Sequence, residues 1–188
     1  SADYDARMIG QLAYAAPQIL ADLADLVMPG RFGLRILDLG CGTGLAGVVF
    51  KSRAARLDGI DLSPAMIEKA RARGIYDSLR VGDIETAFAE KYDLILAADT
   101  LVYLGALTSL FRAVAAGLAT DGIFLFTTEA KTGSGFELGP KRRWRHSETY
   151  IRDEAAAAGL EVAGLVAASP RTESNQPVPG FAAALTLV

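Results

Sequence analysis

The chain has 188 residues, of which 51% are hydrophobic and 22% are charged, and its formal net charge is -3. This length and composition predict a single folded domain with one hydrophobic core, and they exclude a disordered or fibrous protein. The acidic balance provides no basic field for the phosphates of a nucleic acid, so we do not expect a nucleic-acid partner.

Cysteine content and hydropathy predict the cellular compartment of the protein. Cys41 is the only cysteine, so the chain forms no internal disulfide, and we predict no metal site. The apolar runs are far shorter than the roughly 20 residues of a membrane span, and no signal peptide is recognisable, which predicts a cytoplasmic protein without a membrane partner. The chain begins at Ser1 without an initiator methionine, so we expect a processed product or a fragment with room for an upstream domain.

Hydrophobic spacing predicts alternating helices and strands. Apolar residues recur at helical spacing over residues 8–16 and 19–27, which predicts two amphipathic helices broken at Pro17. Alternation of strands and helices then predicts a mostly parallel sheet with helices on both faces. The predicted strands are residues 35–39, 57–62, 79–81, 92–98 and 122–128, and the predicted helices between them include residues 64–73 and 106–118.

The last third of the chain departs from this alternation. Residues 130–145 contain glycines, a proline and a basic cluster, and we predict a loop over the sheet edge there. A helix over residues 147–158, ended by Gly159, precedes two strands over residues 160–168 and 181–188. Because only a loop joins these two strands, they should pair antiparallel, which reverses the last strand of the sheet.

Three glycines follow the first strand, where the backbone must approach a ligand closely. Gly40, Gly42 and Gly44 permit angles that a side chain forbids, which predicts a nucleotide-like ligand rather than a plain glycine turn. The Gly-x-Gly-x-Gly spacing differs from the Gly-x-Gly-x-x-Gly of dinucleotide folds, and the Lys-Ser/Thr pair of an ATP-binding loop is absent. Asp38 would repel a pyrophosphate but can pair with an α-ammonium group, which favours an amino-acid-bearing nucleoside.

Further carboxylates follow the next two strands at the same edge of the predicted sheet. Asp61 can accept both hydroxyls of a ribose, and the competing interpretation is a helix N-cap beside Ser63. Asp83 can accept from an adenine amine while Ile84 covers the ring, and the competing interpretation is an ordinary Gly-Asp turn.

Together these motifs resemble those of class I S-adenosylmethionine-dependent methyltransferases over about residues 34–130. The resemblance implies an α/β fold with a seven-stranded, mostly parallel sheet whose last strand is reversed. It also implies S-adenosylmethionine as methyl donor and S-adenosylhomocysteine as product. The motifs occur in the family's order as Ile36-Leu-Asp-Leu-Gly-Cys-Gly-Thr-Gly44, Gly59-Ile-Asp-Leu-Ser-Pro-Ala-Met-Ile67, Val81-Gly-Asp-Ile84 and Tyr92-Asp-Leu-Ile95.

The resemblance also implies which residues contact the cofactor. The glycine loop would lie along the methionine part, Asp61 on the ribose, and Asp83 with Ile84 on the adenine. Tyr4 with Asp5 resembles an aromatic lid that closes over the cofactor. The predicted cofactor contacts are Tyr4, Asp38, Gly40, Cys41, Gly42, Gly44, Asp61, Leu62, Asp83, Ile84, Ala98 and Tyr103.

The sequence identifies the residues that would bind the methyl acceptor less specifically than those that would bind the cofactor. The segment after the fourth strand lacks the Asn/Asp-Pro-Pro-Tyr/Phe pattern of enzymes that methylate base amino groups, and no Pro-Cys nucleophile is present. If the acceptor needs a general base, the candidates are Asp99, Tyr103 and His146. His146, the only histidine, has a competing interpretation as a surface residue. The basic residues around it either bind an anionic acceptor or belong to a solvated loop; they are Lys141, Arg142, Arg143 and Arg145. Arg171 and Glu173 have no stronger claim to a role at the acceptor site.

The predicted organisation is a single methyltransferase domain over residues 1–188. A helical lid (1–33) precedes a cofactor-binding core (34–130) and a substrate-side loop, helix and antiparallel strands (131–188). The segment from His146 to Val162 resembles a bacterial branch in which this domain follows tetratricopeptide repeats.

The predicted function is methyl transfer to a small molecule. The alternatives are a protein acceptor, a cofactor-binding regulatory module without catalysis, and a dehydrogenase. The methylated atom and the oligomeric state are not assigned by the sequence.

Overall fold

The computed structural model describes residues 15–86 and 88–188. The helices are α1 (Ala16–Val27), α2 (Leu45–Phe50), α3 (Pro64–Ala72), α4 (Thr108–Gly117) and α5 (Glu148–Ala157). The strands are β1 (Leu34–Leu39), β2 (Ala54–Asp61), β3 (Ser78–Val81), β4 (Tyr92–Ala97), β5 (Leu118–Ala130), β6 (Phe136–Leu138), β7 (Trp144–His146), β8 (Leu160–Ala168), β9 (Thr172–Glu173), β10 (Gln176–Pro177) and β11 (Gly180–Leu187).

Seven strands form the continuous path of the main sheet, in the order β3-β2-β1-β4-β5-β11-β8. The first five are mutually parallel, whereas β11 is antiparallel to both β5 and β8. The predicted mostly parallel sheet with a reversed last strand is therefore confirmed, but the described sheet has nine strands instead of seven, because β6 and β7 extend it. The order changes direction between β1 and β4, which is where open parallel sheets bind ligands.

The segment predicted as a loop over residues 130–145 is in part a β-hairpin, so that prediction is wrong for β6 and β7. Strand β7 pairs parallel with the carboxyl end of β5, beyond the point where β4 has ended, and β6 pairs antiparallel with β7. The rings of Phe136 and Trp144 pack across the hairpin with centroids 5.6 Å apart. These strands have three residues each, too few for their alternation to stand out among glycines and basic residues.

The two faces of the sheet carry separate hydrophobic layers. Along β5, Phe124 and Phe126 pack into the layer that contains α4 and α5, whereas Ile123 and Leu125 pack into the layer that contains α1 and α2. The alternation arises because successive side chains of a strand point to opposite faces. Helices on both faces, as predicted, leave the carboxyl ends of β1 to β4 as the open edge.

Helix α1 belongs to the core. It begins at Ala16, and Pro17 lies in its first turn, where a missing N–H costs nothing. The second predicted helix is thus confirmed with an earlier start, whereas the first, over residues 8–16, lies almost entirely outside the described residues and stays a prediction. Leu20 and Ala24 are fully buried against the sheet. The predicted lid over residues 1–33 therefore includes a core helix, whereas Tyr4 lies outside the described residues and its lid role stays a prediction.

Among residues 15–86 and 88–188, none of the helices is both long enough and apolar enough to cross a membrane.

We predict that Phe111→Ala lowers the free energy of unfolding by about 3–5 kcal/mol, because it leaves a cavity among packed aromatic rings. Phe111 is fully buried on α4, with its ring centroid 5.6 Å from that of Phe126. Urea denaturation measures the loss. Phe32→Ala is the matched control, since Phe32 is 65% exposed and should change stability by less than about 0.5 kcal/mol. Equal losses in the two variants would contradict the assignment of Phe111 to the core.

Candidate functional site

A cavity of about 610 Å³ opens at the carboxyl edge of the sheet, within the size range of small-molecule sites. Its described lining comes from the segments that follow β1, β2, β3 and β4, together with two arginines from the C-terminal third of the chain. The lining residues are Asp38, Gly40, Cys41, Gly42, Thr43, Leu45, Ala46, Asp61, Leu62, Met66, Asp83, Ile84, Glu85, Ala98, Asp99, Thr100, Tyr103, Leu104, Arg143 and Arg171.

The glycine loop presents bare backbone to this cavity. Gly40, Gly42 and Gly44 have φ of +63°, +54° and +98°, in the left-handed region that favours glycine. A Cβ on Gly40 would lie 2.5 Å from the Thr100 Cγ2 atom, whereas a Cβ on Gly42 would meet no atom within 4 Å. Gly44 does not line the cavity in the described structure; it is the residue before α2 and turns the chain into that helix.

Asp61 fixes the loop from the neighbouring strand. Its Oδ2 accepts from the Gly42 N–H and its Oδ1 accepts from the Ser63 N–H, both at 2.9 Å. The N-cap of α3 is Ser63, whose hydroxyl accepts from the Met66 N–H. The competing interpretation of Asp61 as the helix cap is therefore wrong. Each carboxylate oxygen has a second lone pair available for a ligand in the cavity.

Asp38 is a buried carboxyl group at the end of β1. Its Oδ2 accepts from the Tyr76 hydroxyl at 2.7 Å, and its residue is 1% exposed. Burial raises the pKa of Asp38 from 3.8 to about 7; the Tyr76 hydroxyl opposes this shift, and the charge of Asp61 adds to it. A cationic group in the cavity would compensate the buried negative charge.

Cys41 lies in the same part of the cavity. It is 6% exposed, and burial raises the pKa of its thiol, so the thiol stays protonated at neutral pH. Its Sγ would lie 3.1 Å from a Cβ on Gly59, so glycine at position 59 makes room for the thiol. Cys41 therefore contributes shape and an apolar surface instead of a nucleophile.

The segments after β2 and β3 form a second part of the cavity. Leu62 is 71% exposed and Ile84 is 7% exposed, and both offer apolar surface. Asp83 lies beside them, and its Oδ1 accepts from the Glu85 N–H at 2.8 Å. Asp83 thus forms the turn that the sequence left as an alternative, and it also lines the cavity.

A cluster of charged side chains forms the opposite end of the cavity. Arg143 donates from Nη2 to Asp99 Oδ1 at 2.5 Å and from Nε to Glu129 Oε1 at 2.9 Å. Asp99 has a φ of +52°, and its N–H donates to the Thr127 hydroxyl. Burial raises the pKa of Asp99, and the Arg143 charge opposes this shift. A non-glycine residue in this strained conformation is typical of a functional position.

The other residues predicted on the acceptor side lie partly in the cavity and partly in solvent. Ala98 and Tyr103 line the cavity as expected, with Tyr103 66% exposed and its ring centroid 5.8 Å from the Arg143 guanidinium carbon. Of the basic cluster, Lys141 and Arg142 are exposed as a solvated loop would be, whereas the Arg143 side chain is 12% exposed.

His146 is placed differently from both of its predicted interpretations. It is fully buried, so it is not a surface residue, and it is absent from the described lining of the cavity. Its Nε2 lies 2.8 Å from the Gly105 carbonyl oxygen, and burial lowers the pKa of its imidazole. Its ring stacks on Tyr150 within the aromatic cluster of the β6–β7 hairpin. His146 supports the hairpin and is not placed to act as a general base in the cavity.

Sequence reasoning missed Tyr76, Thr100 and Glu129 as parts of the site, and it gave Arg171 no stronger claim than the basic cluster. Tyr76 lies between α3 and β3 with no motif around it, and only the fold brings its hydroxyl to Asp38. Arg171 lies in the connection between β8 and β11, far along the chain from the other lining residues. Its proline-rich surroundings resemble any polar loop.

Comparisons with known proteins agree with this geometry. Residues 36–122 match the family profile described as a methyltransferase domain. The chain is 28% identical over 164 residues to a Ubiquinone biosynthesis O-methyltransferase of Methylobacterium sp., covering 79% of this chain and 66% of that protein. It is 36% identical over 114 residues to a Malonyl-(acyl-carrier protein) O-methyltransferase of Acetivibrio thermocellus, covering 58% of this chain and 40% of that protein. The chain thus spans less than two thirds of the length of either relative.

Among solved structures, the 1,6-didemethyltoxoflavin-N1-methyltransferase of Burkholderia thailandensis, with bound 1,6-didemethyltoxoflavin and S-adenosylhomocysteine, has a similar fold. The TM-score is 0.75 at 17% identity, and the match covers 93% of this chain and 79% of that chain. At this identity the likeness concerns the fold.

We predict that alanine at Gly40 and at Gly42 acts on different properties. Both substitutions place a side chain at positive φ, which costs about 1–2 kcal/mol of unfolding free energy. Gly40→Ala adds a collision with Thr100 and should destabilise further, whereas Gly42→Ala places a methyl group in open space beside the cavity and should chiefly weaken S-adenosylhomocysteine binding. Thermal unfolding and calorimetry measure the two effects. Adding Thr100→Ala should restore part of the lost stability to Gly40→Ala only, because the strain of the positive φ remains; equal rescue of both variants would contradict this assignment.

We predict a stability effect of Asp38 that depends on pH. Because its folded-state pKa, about 7, exceeds the ordinary value of 3.8, its contribution to stability is present below pH 3.8 and lost as pH rises to about 7. Asp38→Asn should therefore be more stable than the parent at pH 8, by about 2–4 kcal/mol, and the difference should fade toward pH 4.

Urea denaturation across this pH range measures the effect, with Asp153→Asn as control because Asp153 is exposed on α5. Tyr76→Phe removes the hydroxyl that opposes the shift, so the pH midpoint should move upward. A difference that does not vary with pH would show that Asp38 is charged throughout.

Proposed function

We propose that this chain, whose residues 36–122 are a methyltransferase domain within a class I S-adenosylmethionine-dependent methyltransferase fold, transfers a methyl group to a small molecule. The observation that carries the proposal is a single cavity of about 610 Å³ shared by the glycine loop and the charged cluster around Asp99. One end has the groups for a cofactor, and the other end has side chains for an acceptor.

The cofactor end fits S-adenosylmethionine on the chemistry of its donors and acceptors. Asp38 is a buried carboxyl group that lacks a cationic partner among the described residues, and an α-ammonium group would supply one. Asp61 has free lone pairs for ribose hydroxyls, and Gly42 leaves open space where any other residue would place a side chain. Leu62 and Ile84 offer apolar surface suited to an adenine ring, beside Asp83.

When bound, S-adenosylmethionine supplies a methyl group on a positively charged sulfur. The chain's own residues then have two tasks, alignment and exclusion of water, which together account for much of the catalysis of an in-line displacement. The loop fixed by Asp61 and Thr100 holds one side of the cavity rigidly. The β6–β7 hairpin, which supplies no reacting group, carries Arg143 into the other side.

Asp99 is the best-placed of the predicted bases. Its Oδ1 is bound by Arg143, its Oδ2 has no hydrogen-bond partner among the described residues, and the residue lines the same cavity. Burial raises the pKa of Asp99, which strengthens it as a proton acceptor relative to an exposed aspartate. Tyr103 is the second candidate, whereas His146 is fully buried and is not among the described lining residues of the cavity.

A small-molecule acceptor is supported by the cavity and by the names of similar proteins, which include a methyltransferase solved with 1,6-didemethyltoxoflavin. A protein acceptor is the main alternative, and a regulatory module without catalysis is the other. The cytoplasmic location and the branch that follows tetratricopeptide repeats stay predictions.

We predict that calorimetry detects binding of both S-adenosylmethionine and S-adenosylhomocysteine. Asp61→Asn should weaken both by about tenfold or more, because an amide cannot accept from both the Gly42 and Ser63 N–H groups and also bind a ribose. Asp153→Asn should bind normally. No binding of either compound at millimolar concentration would overturn the proposal.

Acceptor class is tested with a tritiated methyl donor. Transfer to members of a small-molecule library supports the proposal, whereas labelled protein bands in a lysate would favour the protein alternative. Cofactor binding without transfer to either class would favour the regulatory module.

A further inference from the structure

Arg171 is a mostly enclosed arginine that the proposed methyl transfer does not use. It follows β8 in the connection to β11, its side chain is 12% exposed, and it lines the cavity on the acceptor side. Arginine side chains are rarely buried unless they are paired, because removing the charge from water is costly. Its partners therefore indicate what the site is built to hold.

Arg143 and Arg171 differ in how fully they are paired. Arg143 makes two charge-assisted hydrogen bonds, to Asp99 and Glu129. Arg171 has only one ion-pair contact among the described residues, from Nη1 to Glu129 Oε1 at 3.8 Å, which is longer than a hydrogen bond. That same oxygen already accepts from Arg143. The N–H groups of the Arg171 guanidinium are thus available to donate hydrogen bonds to a ligand in the cavity.

We propose that the methyl acceptor carries a carboxylate that the Arg171 guanidinium binds. This inference rests on the proposed function, since it concerns the acceptor end of the same cavity. The planar fork of a guanidinium matches the two oxygens of a carboxylate, and such bidentate pairs give both strength and orientation. Arg143, fixed by its two carboxylates, forms the floor beside it.

The charges of the cluster favour a monoanion. The charges that face one another here are three negative and three positive, since Glu173, paired with Lys141, also interacts with Arg171 and Arg143; the six residues are Asp99, Glu129, Glu173, Lys141, Arg143 and Arg171. A single carboxylate adds one negative charge next to the under-paired arginine, whereas a dianionic phosphate adds two beside Glu129. A neutral acceptor would leave the Arg171 donors bonded only to water.

The placement also explains how an acceptor is oriented. Arg171 and Asp99 both line the cavity, and Arg143 and Glu129 link them. A carboxylate on Arg171 therefore anchors one end of the acceptor, while its nucleophile lies toward Asp99 and the glycine loop. Arg171 is in this account a specificity-determining residue that touches the acceptor and not the reacting atom.

The test measures binding to the full chain saturated with S-adenosylhomocysteine. The probes are three acids with their uncharged amides: benzoate and benzamide, 3-phenylpropionate and 3-phenylpropionamide, and hexanoate and hexanamide. Calorimetry or ligand-observed NMR gives each affinity. We expect at least one acid to bind about tenfold or more tightly than its amide. If no acid in the panel is preferred, the inference is overturned.

Variants assign the preference to Arg171. Arg171→Gln should remove the preference for acids, and Arg171→Lys should restore only part of it, because lysine keeps the charge without the fork. Arg171→Gln removes the 3.8 Å ion-pair contact and weaker electrostatic interactions with Asp99 and Glu173 but no hydrogen bond, so it should fold, which is safer than changing Arg143, which is hydrogen-bonded to two carboxylates. Arg152→Gln is the matched control, since Arg152 pairs with Glu148 on the exposed face of α5.

Binding of S-adenosylhomocysteine to the same samples separates the two proposals. If the parent chain does not bind it, the proposed function fails. If the parent binds it but acids and amides bind alike, only the carboxylate inference fails. If Arg171→Gln weakens S-adenosylhomocysteine as much as the acids, Arg171 is a structural residue and the inference is likewise overturned.

Discussion

The Asp61 carboxylate joins the ends of two neighbouring strands, and the geometry of the site depends on that connection. It accepts from the Gly42 N–H of the loop after β1 and from the Ser63 N–H at the start of α3. Both bonds are charge-assisted, and such bonds are stronger than those between neutral groups. They hold a loop whose glycines would otherwise have wide conformational freedom. The bare backbone at Gly42 is therefore presented in one conformation.

The charged side chains at the two ends of the cavity have different kinds of partner. At the cofactor end, Asp38 accepts from a hydroxyl but has no cationic partner among the described residues, and burial raises its pKa to about 7. At the acceptor end, Arg143 lies between two carboxylates, and the remaining arginine is only weakly paired. The cavity thus has a carboxyl group without a cationic partner, Asp38, at one end and a weakly paired guanidinium, Arg171, at the other. A charged ligand group that pairs with either side chain would be favoured, because charges interact more strongly inside a protein than in bulk water.

Much of the cofactor half could be predicted from the sequence because its residues are close together in the chain. Asp38 to Gly44 form one strand-loop-helix unit, and Asp61 and Asp83 follow the next two strands. Parallel strands bring their carboxyl ends to one edge, so these residues meet without knowledge of any side-chain contact. Tyr4 is the exception, since it lies outside the described residues. The reversed β11 followed equally from local information, because a loop without a helix joins it to β8.

The acceptor half could not be predicted in the same way. Arg143, Glu129 and Arg171 come from three separate parts of the chain, and nothing in their local sequence distinguishes them from surface charges. The clearest case is the basic segment, in which Arg143 enters the cavity while Lys141 and Arg142 remain in solvent. The direction depends on β7, whose pairing with the end of β5 fixes which residues point inward. His146 shows the converse, since the same pairing buries it among aromatic rings.

By itself, the sequence determined which strands end at site residues, where the glycine loop lies and which class of cofactor such a loop accepts. Spacing along the chain is sufficient for these features because a parallel sheet converts sequence order into a shared edge. Only the tertiary structure decided the partners of the buried charges, because Tyr76 reaches Asp38 and Arg143 reaches Asp99 across long stretches of chain. Those partners set the electrostatics of the cavity, and they leave the Arg171 guanidinium with only one long ion-pair contact among the described residues.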